Sequence, residues 1–292
     1  MSLDPQTTSP TLLTEPAAVR AAVLAARGAG KTIGLVPTMG ALHDGHLSLV
    51  AASVEQCDLS AVTIFVNPTQ FGAGDDFNRY PRDLEGDVRK LAELGADLVF
   101  APSADIVYPA GHATQVDVGP LARTLEGRFR PGHFAGVATI VLKLFHLVPA
   151  HIAFFGQKDF QQLLVIRQMV RDLNLPIEIH GCPIVRDHDG LALSSRNAYL
   201  SPAERRQALA LSQSLQLADQ LARDGERQAS EIVRQMRQRI LAAGDVRIDY
   251  VALADPDTLQ PVSQVDGTAV ALVAVRVGAT RLIDNQLIRP QP

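Results

Sequence analysis

Cysteine is scarce. The 292 residues contain two, Cys57 and Cys182. Two thiols cannot build a disulfide framework, and these two lack metal-ligand spacing, so both read as buried thiols. Positive charge is not in excess either. A net charge of −4 gives no electrostatic reason to expect a nucleic-acid partner. A membrane-spanning run is missing as well: the longest apolar stretch, Phe134 to Phe155, is interrupted by Lys143, His146, Pro149 and His151. The opening "MSLDPQTTSP" has no basic start and no apolar centre, so it reads as a loose polar tail and not as a signal peptide. Internal repeats and low-complexity tracts are also lacking. Together these absences point to a cytoplasmic globular protein without a membrane or nucleic-acid partner.

The chain is long enough for two domains or one large one. In its first two thirds, strand-like and helix-like patterns alternate. "TIGLVP" (Thr32–Pro37), "SAVTIFV" (Ser60–Val66), "DLVFAP" (Asp97–Pro102), "HIAFFG" (His151–Gly156) and "PIEIHGCPIV" (Pro176–Val185) read as strands. Between them, helical spacing appears at Leu47–Val54, Leu84–Ala92, Phe134–Val148 and Asp159–Leu173. Such alternation implies a parallel sheet covered on both faces, with ligands bound beyond the carboxyl ends of its strands. The last third differs. Ser201-Pro202-Ala203-Glu204 is a capping box with proline at the first helical position. Helices over Pro202–Leu221 and Gln228–Ala243 are followed by strands over Val246–Leu253, Thr268–Val277 and Thr280–Ile288. This order suggests a small α+β unit, with the boundary near Asp187–Gly190.

The polar residues cluster where strands end. "PTMGALHDGH" (Pro37–His46) runs from the first strand into a helix. Gly40 and Gly45 allow a sharp turn and a close approach to a ligand. The helix start offers backbone N–H groups and a partial positive charge, which favour an anion. His43 and His46, three apart, lie on one side of that start and can both donate to a phosphate. A loop with a capping histidine and a weak zinc site are the competing readings. After the second strand, Asn67, Thr69 and Gln70 of "FVNPTQF" bring neutral donors to the same edge, unless they form only a polar turn. "GQKD" (Gly156–Asp159) repeats the pattern, with Lys158 suited to a phosphate or else a solvated surface lysine. "LSSRN" (Leu193–Asn197) offers two hydroxyls and a guanidinium for a polyphosphate, or is a polar linker. Val137, Ile140, Val141 and Leu144 form an apolar face that reads as core, or as a pocket wall near the sheet edge. Asp87 reads as a solvated helix carboxylate, with a metal role as the weaker option.

"PTMGALHDGH", "FVNPTQF", "HFAGVATIVLKLF", "FFGQKDFQQ" and "DGLALSSRNAYLS", in this order, resemble the pantoate–β-alanine ligases closely, from about Gly34 to Leu200. The His-x-Gly-His element alone would indicate only the wider nucleotidyltransferase superfamily. The resemblance implies an α/β fold: a Rossmann-like doubly wound parallel sheet over 1–187 and a smaller C-terminal α+β lid domain over 188–292. It implies an adenylation of (R)-pantoate by ATP, with Mg²⁺ carried mainly on the ATP phosphates, followed by attack of β-alanine. By this resemblance ATP contacts fall to Met39, Gly40, Ala41, Leu42, His43, Asp44, Gly45 and His46. Others fall to Gly156, Gln157, Lys158, Asp159, Val185, Leu193, Ser194, Ser195 and Arg196. His46, His43 and Lys158 take the catalytic roles. Gln70 and Gln162 bind pantoate, Gln70 also β-alanine, and no residue is assigned to a metal. Leu193 stands where the family often has methionine, a swap that conserves volume. A homodimer is also implied. The alternatives are an enzyme that stops at adenylyl transfer and a module that only senses nucleotide. The latter has no need for the paired glutamines.

Overall fold

The computed structural model describes residues 9–72 and 77–291. Most of the expected N-terminal tail, residues 1–8, lies outside the described residues. The chain divides into two compact units, residues 1–157 with 162–183, and residues 158–161 with 184–292.

The first unit is built on a six-stranded, all-parallel sheet. Its strands are β1 (Thr11–Leu13), β2 (Ile33–Thr38), β3 (Leu59–Ile64), β4 (Leu98–Phe100), β5 (Ile152–Gly156) and β6 (Glu178–Cys182). Their spatial order is β1-β4-β3-β2-β5-β6. The connecting helices are α1 (Pro16–Gly28), α2 (Asp44–Gln56), α3 (Leu84–Glu93), α6 (His133–Leu147) and α7 (Phe160–Asp172), with two single turns, α4 (Ala104–Val107) and α5 (Glu126–Phe129). Successive side chains of a strand point to opposite faces, and here both faces are apolar. Leu35, Ala61, Phe100, Ala153 and Phe155 join one core with Val19 and Val23 of α1, Val137 and Leu144 of α6, and Ile166 of α7. Their neighbours Val36, Val62, Val99 and Phe154 join a second core with Leu49 and Val50 of α2 and Leu91 of α3. That alternation is why the strands read as continuous hydrophobic runs, and it makes the sheet doubly wound, as the sequence implies.

β6 is shorter than its pattern. Pro176 and Pro183 lack the N–H a ladder needs, so the strand is confined between them. β1 and α1 add to the elements expected from the sequence. α1 starts at Pro16, whose missing N–H costs nothing in a first turn.

The second unit carries α8 (Pro202–Arg223) and α9 (Ala229–Leu241), then an antiparallel meander of β7 (Val246–Ala254), β8 (Ala269–Val277) and β9 (Thr280–Ile288). Ser201 and Glu204 form the expected capping box at the start of α8. Leu211, Leu215, Ile232, Met236 and Ile240 of the helices bury against Val273, Val275 and Leu282 of the sheet. No helix among the described residues is long and apolar enough to cross a membrane.

Candidate active site

The order of the strands contains a switch point. From β2 the chain moves to β3 and β4 on one side, then returns to β5 on the other side of β2. Connections leaving β2 and β5 therefore diverge, and the space beyond their carboxyl ends is where open α/β sheets bind ligands. β2 ends at Thr38 and leads into Met39–His46; β5 ends at Gly156 and leads into Gln157–Asp159.

The β2–α2 loop is held from several sides. Thr38 Oγ1 donates to the Thr63 carbonyl (2.7 Å) and accepts from Gly40 N–H (3.2 Å). Gly40 has φ +81°, and a Cβ there would lie 3.0 Å from both Asp87 Oδ2 and Ile64 Cγ2, so this position needs glycine. Ala41 follows with φ 51°, a left-handed conformation that costs a non-glycine residue energy. The compensation comes from α3. Asp87 accepts from Ala41 N–H and Leu42 N–H, both at 2.8 Å, and Lys90 one turn later donates to the Leu42 carbonyl at 2.6 Å. Asp87 is 1% exposed. Its expected role as a solvated helix carboxylate is therefore wrong. The charge is buried because two backbone donors satisfy it.

The two histidines form the start of α2. His43 is the N-cap: its Nδ1 accepts from Gly45 N–H (3.1 Å), and His46 Nδ1 accepts from His43 N–H (3.4 Å). The rings lie 4.1 Å apart, tilted by 36°. The helix start is thus not the bare set of N–H groups the pattern suggested, because the histidines themselves cap it. A neutral ring whose Nδ1 accepts carries its proton on Nε2, so in that tautomer Nε2 is the donor of each ring. Asp44, at the first helical position, is exposed.

After β3, a 3-10 turn at Pro68–Gln70 places the neutral donors. Asn67, 1% exposed, is its hub. Its Nδ2 donates to Gln70 Oε1 (3.0 Å) and the Gly136 carbonyl (3.2 Å), while its Oδ1 accepts from Thr69 Oγ1 (2.9 Å) and Tyr108 OH (2.7 Å). Burial pushes the Tyr108 phenol up from its ordinary value. Gln70 Nε2 approaches Met39 Sδ at 3.2 Å, which brings the second-strand cluster against the β2 loop. Its carbonyl accepts from His133 Nδ1 at 2.9 Å. Gly136 makes this packing possible: a Cβ there would sit 2.4 Å from the Thr69 carbonyl oxygen and 2.7 Å from Gln70 N. Val137, Ile140, Val141 and Leu144 of α6 are 2–5% exposed and belong to the core.

Gln162 lies half-buried in the first turn of α7, and Gln157 donates from Nε2 to the Gly181 carbonyl (3.3 Å). In the second unit, Lys158 is half-buried and Asp159 exposed within the 3-10 turn Gln157–Asp159. Leu193 N–H donates to the Val185 carbonyl (3.0 Å), so those two meet just outside the Arg186–Ala192 bridge. Ser194 caps the turn Ser195–Tyr199 by accepting from Arg196 N–H. Asn197 Nδ2 closes the segment on the Ala192 carbonyl (3.0 Å). Among the described residues no group of three or more His, Cys, Asp or Glu side chains is arranged to hold a metal ion.

The family model described as pantoate-beta-alanine ligase matches residues 11–287. The pantothenate synthetase of Moorella thermoacetica is 55% identical over 277 residues, covering 95% of this chain and 98% of that protein. That of Acetivibrio thermocellus is 50% identical over 92% of this chain and 96% of its own length. Among solved structures, a pantothenate synthetase from Thermus thermophilus superposes with a TM-score of 0.91 at 46% identity, covering 96% of this chain and 100% of that one. A pantoate-beta-alanine ligase from Francisella tularensis, complexed with beta-gamma ATP and beta-alanine, gives 0.77 at 32% identity over 95% and 97%. The chain belongs to the pantoate–β-alanine ligase family.

Proposed function

We infer that the chain joins (R)-pantoate to β-alanine with ATP, through a pantoyl adenylate. Its family membership supports the ligation. The observation that carries the site is the divergence at β2 and β5, whose ends feed Met39–His46 and Gly156–Asp159. In the first half-reaction a pantoate carboxylate oxygen bonds to the α-phosphorus, and pyrophosphate leaves. In the second the amine of β-alanine attacks the acyl carbon; AMP departs with the C–O electron pair, and the amine gives up a proton. Mg²⁺ enters with ATP on its phosphates, as part of the substrate.

In the first unit, Met39–His46 with Gly156 and Gln157 bind the nucleotide, and His43 and His46 donate to phosphate through Nε2. Gln70 and Gln162 bind pantoate, and Gln70 also meets β-alanine. By the resemblance, Lys158, Asp159, Val185 and Leu193–Arg196 are further nucleotide contacts. An anion attacking an anion needs its repulsion neutralised, and losing one aimed donor typically costs about 2.7–4 kcal/mol of barrier. Pyrophosphate is a weakly basic leaving group, so charge and hydrogen bonding suffice and His46 need not be a strict general acid. Residues 1–187 and 188–292 are proposed as the functional domains. The resemblance also supports a cytoplasmic homodimer.

The deciding experiment incubates the protein with MgATP and pantoate, with and without β-alanine. Pyrophosphate release that needs pantoate, and AMP accumulation that needs β-alanine, are expected. Adenylyl transfer without amide formation refutes ligation, and saturable ATP binding with no product refutes catalysis. His46→Ala should abolish adenylation in a folded protein; turnover within about tenfold of wild type removes its role.

A further inference from the structure

The C-terminal strand β9 carries two consecutive buried polar residues, Asp284 (3% exposed) and Asn285 (4%). In an antiparallel strand neighbours point to opposite faces, so two adjacent buried polar side chains need two separate sets of partners. Asp284 accepts a two-pronged bond from Arg186, Nη1 to Oδ2 at 2.6 Å and Nη2 to Oδ1 at 3.0 Å. The same guanidinium reaches the Gly190 carbonyl (3.2 Å) and the Asn285 carbonyl (3.5 Å), and Asn285 N–H donates to Asp284 Oδ1 (2.8 Å). The ion pair therefore grips the backbone of Asn285 on both its N–H and its C=O. From that fixed backbone, the Asn285 side-chain amide donates to the Lys158 carbonyl at 2.8 Å. Lys158 lies 127 residues away in sequence, in the four-residue piece 158–161 that groups with this unit.

We propose that Asn285 is a positioning residue for Lys158, and that the Arg186–Asp284 pair anchors it. Lysine ends in a flexible chain of four methylenes, and its aim depends on where its backbone is held. Asn285 fixes that backbone at the residue itself, and it does so from a strand paired along its length with β8 rather than from the loop. The inference rests on the phosphate-binding role proposed for Lys158.

The test is a double-mutant cycle read by calorimetric titration of the full chain with MgATP. Asn285→Ala should weaken MgATP binding by about tenfold or more, while KM for pantoate stays within about twofold of wild type. In a Lys158→Ala background the same change should have almost no further effect, because the residue acts through that lysine. Multiplying effects, or an equal loss for ATP and pantoate, overturn the positioning role and leave Asn285 a packing residue. Wild-type binding by Asn285→Ala overturns it too. If Lys158→Ala itself binds MgATP normally, the role of Lys158 fails first and takes this inference with it. Asn285→Ser, whose hydroxyl is too short to span to the Lys158 carbonyl, is read in the same way if the alanine variant does not fold.

Discussion

Replacing Asp87 by asparagine separates a backbone clamp from a metal ligand. Asp87 accepts two N–H bonds at 2.8 Å from consecutive residues, one of which holds a positive φ. A hydrogen bond to a charged group contributes about 1.5–3 kcal/mol. Asparagine has one neutral oxygen to offer. One bond is lost, with the new NH₂ facing an amide N–H, and the other falls to the strength of a neutral pair. The expected loss of folding stability is about 2–4 kcal/mol. A domain with about 5–15 kcal/mol of stability survives that. Urea denaturation at neutral pH measures the loss. Freed from Asp87, the Gly40–Leu42 backbone no longer holds its turn, so KM for MgATP should also rise. Raising Mg²⁺ should not restore it, because the damage is to the loop. A stability change under about 0.5 kcal/mol with unchanged KM, or full rescue by excess Mg²⁺, would refute the clamp.

Gly136→Ala places a methyl group 2.4 Å from the Thr69 carbonyl oxygen. The Pro68–Gln70 turn must move, at a cost of about 1–3 kcal/mol, and KM for pantoate should rise more than KM for ATP; equal rises argue against the packing account. Arg205 donates to Asp187 at 2.6 Å and Asp189 at 2.9 Å, and its bond to Asp187, with His188 contributing, holds that carboxyl down at about 2. A lowered carboxylate stabilises the fold above its ordinary value of 3.8 and loses that contribution as pH falls toward 2. The Tm gap between wild type and Arg205→Ala should therefore be open at neutral pH and close across that window; a gap independent of pH would show that the pair's charge is irrelevant. Cys182 is 4% exposed and burial raises its thiol, so a disulfide reagent at neutral pH should leave it unmodified until the protein unfolds. Prompt native-state labelling of Cys182, read by mass spectrometry, would contradict its burial.

The sheet was legible because its strands obey a local rule. Leu35 and Val36, or Phe154 and Phe155, enter different cores, and covering both faces leaves an uninterrupted apolar run in the sequence. Helices show their apolar spacing, and the capping box of Ser201 and Glu204 is contained in four residues. The polar clusters at strand ends were visible for the same reason: glycine, histidine and lysine stand beside one another in the chain. The misreading of Asp87 had a physical cause. On α3 it sits between Gly86 and Val88, with Glu85 and Arg89 nearby, and nothing local separates a buried acceptor from a solvated charge. Its partners are the backbone N–H groups of residues 45 and 46 positions earlier, and a backbone N–H carries no mark in a sequence.

The same reasoning explains why β9 was silent. The bond from Asn285 to Lys158 spans 127 residues and ends on a carbonyl, which every residue possesses. No choice of residue at the receiving end records the contact, so only the donor could reveal it. The donor, in "LIDNQLI", reads as an ordinary break in strand alternation. A side chain that acts on substrate must have particular chemistry, and that requirement concentrates in short motifs. A side chain that positions backbone needs only a donor or acceptor at the right distance, which the fold can supply from anywhere. The residues proposed to act on substrate are therefore legible in the motifs, while groups that hold their backbone become legible only once the chain is folded. Asp87 and Asn285 are two instances, one in each unit, and both end on the main chain of a segment proposed to bind nucleotide.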